Sequence, residues 1–248
     1  MTSTAPPPSD AALQAGEAPT PIVVPWTPRD VFVGFIIWAG SVVALFGVGL
    51  FVPARLADPA TLAIFAVGEA ALLIPVFFLA IRKHKARGQD LGLRGFAWKL
   101  PAIGCAGMLI IYGCNYFYAL ILSAFSLRVQ PSLTPLMTGT AHPIVLLVLG
   151  VFLAPPAEEV FFRGFVFAGL RRPMGWRKAA RVSSALFSLS HLTLTAILPI
   201  FAIGWLYAFL YERGRSIWPS TLLHMLTNAI GLTVAYAFAG SAGVAIVP

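Results

Sequence analysis

The chain has 248 residues, of which 58% are hydrophobic and only 10% are charged, whereas soluble domains carry about 25% charged residues. With a mean hydropathy of +0.85, it is too apolar for a soluble protein with buried helices, which would need a larger polar shell. Several apolar stretches near the bilayer-spanning length of ~20 residues follow one another. The sequence therefore predicts an all-α fold, a polytopic transmembrane helical bundle.

Residues 1–30 differ from the rest of the chain in composition. They are rich in Pro, Ala, Ser and Thr and lack an apolar period, which is typical of disordered segments. No basic region leads directly into an apolar one here, so we expect no cleaved signal peptide. The sequence predicts a disordered tail.

Seven helices are predicted after this tail from the apolar segments. Their boundaries are 31–52, 60–81, 100–123, 143–170, 180–195, 197–212 and 217–238. The segments 180–195 and 197–212 are short for a full span, and Pro199 marks the break between them. They are therefore expected to be either tilted spans or re-entrant segments.

Basic residues are concentrated in alternate loops. The loops at 82–99, 171–181 and 213–215 contain most of the 17 Lys and Arg residues, and loops of this kind stay in the cytoplasm. We therefore expect a cytoplasmic N-terminal tail and an external C-terminus. The net charge of +8 is explained by basic cytoplasmic loops that lie next to anionic lipid head groups, which we expect as partners. It gives no reason to invoke nucleic acid.

The two cysteines, Cys105 and Cys114, lie on one predicted helix. At ~100° per residue they face opposite sides of that helix, so they cannot form a disulfide with each other. We expect both to be buried small residues without redox or metal chemistry.

The stretch APPAEEVFFRGFVFAGL, residues 154–170, places three ionisable groups inside an apolar helix. Such groups are costly in a bilayer and are functional candidates by default. Glu159 and Arg163 are four residues apart, so they share a helix face and can neutralise each other. Glu158 is rotated by ~100° and is left to meet a group across the bundle. The alternative is that all three only hold helices together.

Polar groups on two later helices reach a similar depth. ALFSLSHL places Phe187 and His191 on one helix face. STLLHMLTNAIG does the same for His224 and Asn228, because residues four apart share a face. Counted from the cytoplasmic basic residues at ~1.5 Å per residue, Glu158, His191 and His224 lie about 14 to 18 Å deep. This predicts a shared polar cavity that opens to the cytoplasmic half, although a lone membrane histidine more often only bonds helices together.

Three motifs carry a resemblance to a known family. They are E-E-x-x-x-R, F-x-x-x-H and H-x-x-x-N, present here as Glu158-Glu159-x-x-x-Arg163, Phe187-x-x-x-His191 and His224-x-x-x-Asn228. Each motif alone is weak, but all three in this order are specific. Over residues 143–235 the chain resembles the CAAX prenyl endopeptidase and bacteriocin-processing family (CPBP, also called Abi). The resemblance implies a catalytic transmembrane region at 143–238, after N-terminal transmembrane helices at 31–142 and before a short tail at 239–248.

The resemblance implies an intramembrane endopeptidase with a role for each motif residue. Glu158 would be the base that activates water, and His191 would help to hold that water. His224 and Asn228 would stabilise the oxyanion of the tetrahedral intermediate. The chemistry agrees, because a carboxylate in an apolar cavity is a stronger base than in water. Fixed donors in a water-poor site also stabilise developing negative charge well.

A zinc site is the alternative mechanism. Glu158, His191 and His224 form a His₂Glu set that suits catalytic zinc with water in an open position. The chain has no H-E-x-x-H motif, so this site would not be that of a zincin. Glu158 cannot readily be both a zinc ligand and the only base, so Glu159 could take one of these roles in the zinc alternative. In the mechanism without metal or other cofactor, which we favour, the resemblance gives Glu159 and Arg163 orienting roles.

Glu69, in AIFAVGEAALLIP, is the remaining acid inside a predicted membrane span. Our preferred interpretation pairs it with a polar group on the next helix, such as Asn115. The alternative makes Glu69 part of the cavity wall or a substrate contact.

Two other function classes remain as alternatives. A transporter would also place charges at mid-depth, but no matched pair of broken helices recurs in two halves of the chain. A non-catalytic immunity or scaffold protein would keep the cavity without turnover. Arginine outnumbers lysine, and Ala, Gly and Pro are abundant, which is typical of a GC-rich bacterial genome. We therefore expect a bacterial inner-membrane protein acting on a membrane-associated peptide or protein rather than on a prenylated CAAX tail.

Overall fold

The computed structural model describes residues 23–51, 57–129 and 140–243. Within these ranges every regular element is helical, which confirms the predicted all-α bundle. The long helices there are α1 Pro28–Gly49, α2 Ala57–Ala71 continued by Leu73–Pro75 and Val76–Arg82, α3 Lys99–Ser123, α4 Pro143–Met174, α5 Trp176–Ser190, α6 Ile197–Gly214 and α7 Trp218–Gly243. All seven predicted helices are present, and their ends differ from the predicted ones by a few residues.

The first helix begins before its predicted boundary because of its N-terminal cap. The Asp30 backbone N–H donates to Thr27 Oγ1, and the Thr27 backbone N–H donates to the Asp30 carboxylate. Two N–H groups that would otherwise lack a partner are satisfied in this way. Just before the cap, Trp26 is buried and donates its indole N–H to the Phe165 carbonyl oxygen. The chain is therefore packed from the cap onward, while residues 1–22 of the predicted tail lie outside the described residues.

Helix α4 is the centre of the bundle. Its side chains Phe161, Phe162 and Phe165 are at most 1% exposed. A π-helical segment, Leu149–Leu153, lies just before Pro155, which has no N–H for the carbonyl four residues earlier. Wider helical turns of this kind occur often at functional sites, and here the turn lies directly before the paired glutamates.

Five helices of the described part of the chain are long and apolar enough to cross a bilayer, namely α1, α2, α3, α4 and α6. Helix α5 has 15 residues and carries Arg177 and Lys178 in its first turn. At ~1.5 Å per residue it reaches about 22 Å, less than the ~30 Å of a bilayer core. The turn Leu194–Ala196 separates α5 from α6, and Pro199 lies within the first turn of α6, where proline is tolerated. With five such helices in its described part, the molecule is a membrane protein.

Polar contacts hold several helix ends together at one end of the bundle. Asp30, at the start of α1, contacts Lys83, just after α2, with an N–O distance of 2.5 Å. Arg171, near the end of α4, contacts Glu212, near the end of α6, at 2.5 Å. Ser216, between α6 and α7, donates to a carbonyl of the α2–α3 connection at 2.7 Å. These ends adjoin the loops rich in Lys and Arg, so the basic loops lie at one end of the molecule.

The two cysteines on α3, Cys105 and Cys114, are free and exposed. The expectation that they are buried was therefore wrong. Neighbouring apolar side chains of α3, such as Leu109 and Ile110, are also exposed on the bundle surface. A lipid-facing position and a core position both select small apolar residues, so composition alone did not distinguish them.

Candidate active site

The predicted ion pair on α4 is present and fully buried. Arg163 Nη1 lies 2.9 Å from Glu159 Oε1, and both side chains are 0% exposed. Arg163 Nη2 also donates to the Gly204 carbonyl oxygen of α6 at 3.1 Å. The guanidinium group lies 4.3 Å from the centroid of the Phe187 ring. Arg163 thereby connects α4 to α5 and α6.

His224 lies between the two adjacent glutamates. Its Nδ1 is 3.3 Å from Glu159 Oε1, and its Nε2 is 3.7 Å from Glu158 Oε2. The first distance allows a hydrogen bond, whereas the second is an electrostatic contact beyond hydrogen-bond range. Tyr207 packs against the imidazole with its ring centroid 5.1 Å away. The group that Glu158 meets across the bundle is therefore His224 of α7.

His191 lies just beyond the end of α5, rather than inside the predicted helix 180–195. The helix ends at Ser190, and Leu192 has a left-handed backbone with φ 53°, which turns the chain away from the helix axis. His191 Nδ1 is 2.8 Å from the Phe187 carbonyl oxygen, and that oxygen can only accept. A neutral His191 therefore carries its hydrogen on Nδ1 and has a free lone pair on Nε2.

A cavity of about 310 Å³ opens beside these residues. It is lined by Trp38, Val42, Leu45, Phe46, Ile64, Phe65, Gly68, Glu69, Leu72, Glu158, Phe162, Ser190 and His191. Glu158 and His191 thus face the same space. Glu69 faces it too, which supports the alternative interpretation of that residue rather than the preferred pairing with Asn115. The helices α1 and α2 supply most of the wall opposite Glu158.

Asn228 is not on the wall of this cavity. Its Nδ2 donates to the Gly150 carbonyl oxygen at 2.9 Å, within the π-helical segment of α4. One of the two N–H groups of the amide can make this bond while the other stays free. In this arrangement Asn228 joins α7 to α4 near the site, and its predicted oxyanion role stays a prediction.

The zinc alternative was tested on the positions of the candidate ligands. Among the residues that the structure describes, no three His, Cys, Asp or Glu side chains lie close enough together to share one metal ion. The set of Glu158, His191 and His224 therefore does not fit a zinc site in this arrangement.

Two residues of α6 belong to the site but were not predicted from the sequence. Gly204 provides the carbonyl oxygen for Arg163, and a Cβ at this position would lie 3.2 Å from Arg163 Nη2. Tyr207 packs on His224, and its hydroxyl lies 3.3 Å from Thr227 Oγ1. Gly204 and Tyr207 are three residues apart on α6, so the helical period could have indicated a shared face.

The fold and the site define a polytopic helical membrane protein with a glutamate–histidine site at an internal cavity. Residues 140–230 match the family model described as "Type II CAAX prenyl endopeptidase Rce1-like". The protein named "Putative membrane peptidase YdiL" of Bacillus subtilis (strain 168) is 32% identical over 88 residues. This match covers 36% of the present chain and 36% of that relative. No solved structure matches the chain.

The matched region contains all three motifs, from Glu158 to Asn228. Over this region the chain is similar to the type II CAAX prenyl endopeptidase family, and the match spans about a third of the chain and of the relative.

Proposed function

We propose that this protein is an intramembrane endopeptidase that hydrolyses a peptide bond of a membrane-associated peptide or protein. One observation carries the proposal: Glu158 and His191 line one cavity of about 310 Å³, and His224 Nε2 lies 3.7 Å from Glu158 Oε2. A base and a second water-binding group thus face one space, and the His224 imidazole lies behind Glu158, outside the cavity lining.

Water activation falls to Glu158 in this proposal. Its Oε2 is buried and lies on the side of His224, so in this proposal the other carboxylate oxygen, Oε1, takes a proton from a water molecule in the cavity. His191 Nε2 accepts a hydrogen bond from the water hydrogen that stays on the oxygen, because Nδ1 is held by the Phe187 carbonyl oxygen. The resulting hydroxide oxygen attacks the peptide carbonyl carbon. When the C–N bond breaks, the proton held by Glu158 passes to the leaving amine.

The remaining motif residues support this chemistry. The buried pair of Glu159 and Arg163 fixes His224, since Glu159 Oε1 contacts both Arg163 and the imidazole. In this proposal His224 is the hydrogen-bond donor for the oxyanion, and a donor fixed in a water-poor site stabilises such a charge more strongly than one in water. The second N–H of Asn228 is the other proposed oxyanion donor.

The family and the apolar helices also support a location for the reaction. We propose that the N-terminus and the loops rich in Lys and Arg are cytoplasmic. The protein then lies in a bacterial inner membrane. The predicted cytoplasmic opening of the cavity stays a prediction, since Leu45, Phe46, Ile64 and Phe65 of its lining lie towards the ends of α1 and α2 away from the Asp30–Lys83 pair.

The decisive experiment compares membrane peptides from cells expressing the wild type and Glu158→Gln. The amide retains the size and the hydrogen bonding of the carboxylate but cannot take a proton. The rate at which any cleavage product forms should therefore fall at least ~10²-fold. The amount of folded protein should not fall, because a neutral amide replaces a buried carboxylate. Asp90→Asn is the matched control, because it also replaces a carboxylate with its amide but lies in a connecting turn. This variant should retain wild-type turnover. Wild-type turnover from Glu158→Gln would remove Glu158 from the mechanism.

A further inference from the structure

Glu69 differs from the other helical acids in its surroundings. Among the acids of the long helices α1 to α7 whose side chains the structure describes, each of the others contacts a basic group, in the pairs Asp30–Lys83, Glu158–His224, Glu159–Arg163 and Glu212–Arg171. Within the same described residues, no hydrogen bond or ion pair joins Glu69 to a cation. An acid inside a membrane span is costly without a partner, so the missing partner is the feature to explain.

The position of Glu69 indicates where such a partner would come from. Glu69 projects from α2 into the cavity that Glu158 lines from α4, and two carboxylates at one site disfavour each other unless a cation lies nearby. Aromatic side chains surround the same space, including Trp38, Phe65 and Phe162. Aromatic ring faces and a carboxylate together favour a cation. A cation entering the cavity would therefore meet complementary groups on several sides.

We propose that Glu69 determines substrate specificity by binding a lysine or arginine side chain next to the scissile bond. This inference rests on the proposed endopeptidase function. At about 310 Å³, the cavity is at the small end of ligand sites, which span roughly 300–1,000 Å³. A group bound by Glu69 and a carbonyl attacked beside Glu158 must therefore belong to the same or adjacent residues of the substrate. The preferred substrate class is a membrane-associated peptide with a basic residue at the cleavage site.

The test uses the purified full chain in detergent and a peptide library made from a bacterial proteome by cleavage at glutamate, which leaves lysine and arginine internal. Mass spectrometry identifies the cleaved bonds. The best substrate is then synthesised as two peptides, one with its basic residue and one with glutamine at the same position. Wild type should cleave the basic peptide at least ~10-fold more efficiently in kcat/KM, because a site built for a polar group discriminates strongly against its absence. In Glu69→Gln this ratio should fall to near one.

Two further variants separate the charge of Glu69 from its structural effects. Glu69→Asp keeps the carboxylate and should keep a preference for the basic peptide. Asp90→Asn removes an acid outside the cavity and should leave the ratio unchanged. A ratio that is the same in wild type and Glu69→Gln, with both proteins folded, would overturn the inference.

The outcomes also distinguish this inference from the proposed function. If cleavage is lost in Glu158→Gln but wild type has no preference for basic residues, the endopeptidase stands and the role of Glu69 is wrong. If every peptide that wild type cleaves is also cleaved by Glu158→Gln, or if wild type cleaves none, both proposals are wrong.

Discussion

Arg163 has a fully buried guanidinium group whose charge is compensated by contacts of three kinds. Glu159 provides a carboxylate, Gly204 provides a carbonyl oxygen, and the ring of Phe187 provides a cation–π contact at 4.3 Å. Taking a charge out of water is costly, and it is tolerated only when partners of this kind replace the water. The four-residue spacing of Glu159 and Arg163 thus predicted a contact on which the interior of the bundle depends.

Removal of Glu159 should destabilise the protein as well as inactivate it. Glu159→Ala leaves Arg163 buried without its carboxylate, and breaking a buried pair in this way costs about 3–5 kcal/mol. Thermal unfolding of the purified protein in detergent measures the loss. The double variant Glu159→Ala with Arg163→Ala should recover part of the stability but not the full activity, because His224 remains without its anchor. A double variant no more stable than either single variant would mean that the two residues are not coupled.

A strong chelator should leave cleavage intact in detergent-purified protein. In the proposed mechanism Glu158 and His191 hold the water, and the energy for this comes from the protein alone. A zinc site would instead need deprotonated histidine ligands and would lose activity with its metal. Turnover before and after chelation, together with elemental analysis, measures the difference. Near-stoichiometric zinc that is lost and regained together with activity would contradict the prediction.

The sequence predicted contacts within a helix better than contacts between helices. Helical periodicity placed Glu159 and Arg163 on the same face of α4, one turn apart, and it placed Glu158 on a different face. It could not identify the neighbour of Glu69, because a helical period indicates which residues share a face but not which helix covers that face. The cavity between Glu69 and Glu158 depends on how α2 packs against α4, which is a property of the folded bundle.

At the scale of elements, glycines allow α4 to approach the rest of the chain closely. A Cβ built on Gly164 would lie 2.7 Å from the Leu91 backbone oxygen, in the 3₁₀ turn Gly88–Leu91. Backbone atoms cannot move aside as a flexible side chain can. The central helix therefore requires glycine where the α2–α3 connection crosses it.

Gly164→Ala should lower the unfolding temperature and the yield of folded protein. Overpacking of this kind costs about 1–3 kcal/mol. Gly113→Ala on α3 is the matched control, since nothing lies within 4 Å of its added Cβ, and alanine favours a helix more than glycine does. Equal unfolding temperatures of the two variants in detergent would show that the contact with Leu91 does not constrain α4.

The end of α5 is the element boundary that the sequence did not predict. The segment after Ser190 contains no glycine or proline until Pro199, so the usual stop signals were absent and the helix was extended to residue 195. The chain instead leaves the helix through a left-handed Leu192. His191 is thereby placed at a helix end, where its imidazole reaches the cavity.

At the scale of the whole molecule, the contacts between helix ends gather the basic loops on one side. The pairs Asp30–Lys83 and Arg171–Glu212 join parts of the chain that are far apart in sequence. Charge distribution and packing therefore agree on which loops share a side, and from the positive-inside rule we propose that this side is cytoplasmic.

Cysteine labelling in intact cells tests this orientation. In a background with Cys105→Ser and Cys114→Ser, Ser126→Cys should react with a membrane-impermeant maleimide from outside. Arg87→Cys should react only after the cells are opened, because it lies in the loop at 82–99, which is rich in Lys and Arg. Both positions are exposed, so burial does not explain a difference between them. The opposite labelling pattern would reverse the proposed topology.

One wall of the cavity lies inside the region that the family model matches, and the facing wall lies outside it. Glu158, Phe162 and His191 come from the region matched by the family model, whereas the facing wall comes from α1 and α2, which lie outside residues 140–230. Two proteins that share this region can therefore present different surfaces to whatever enters the cavity. Sequence identity within the matched region reports on the wall that carries Glu158, Phe162 and His191, and it leaves the wall from α1 and α2 undescribed. Transfer of α1 and α2 from one relative to another is accordingly the exchange that should redirect cleavage while the reacting groups stay the same.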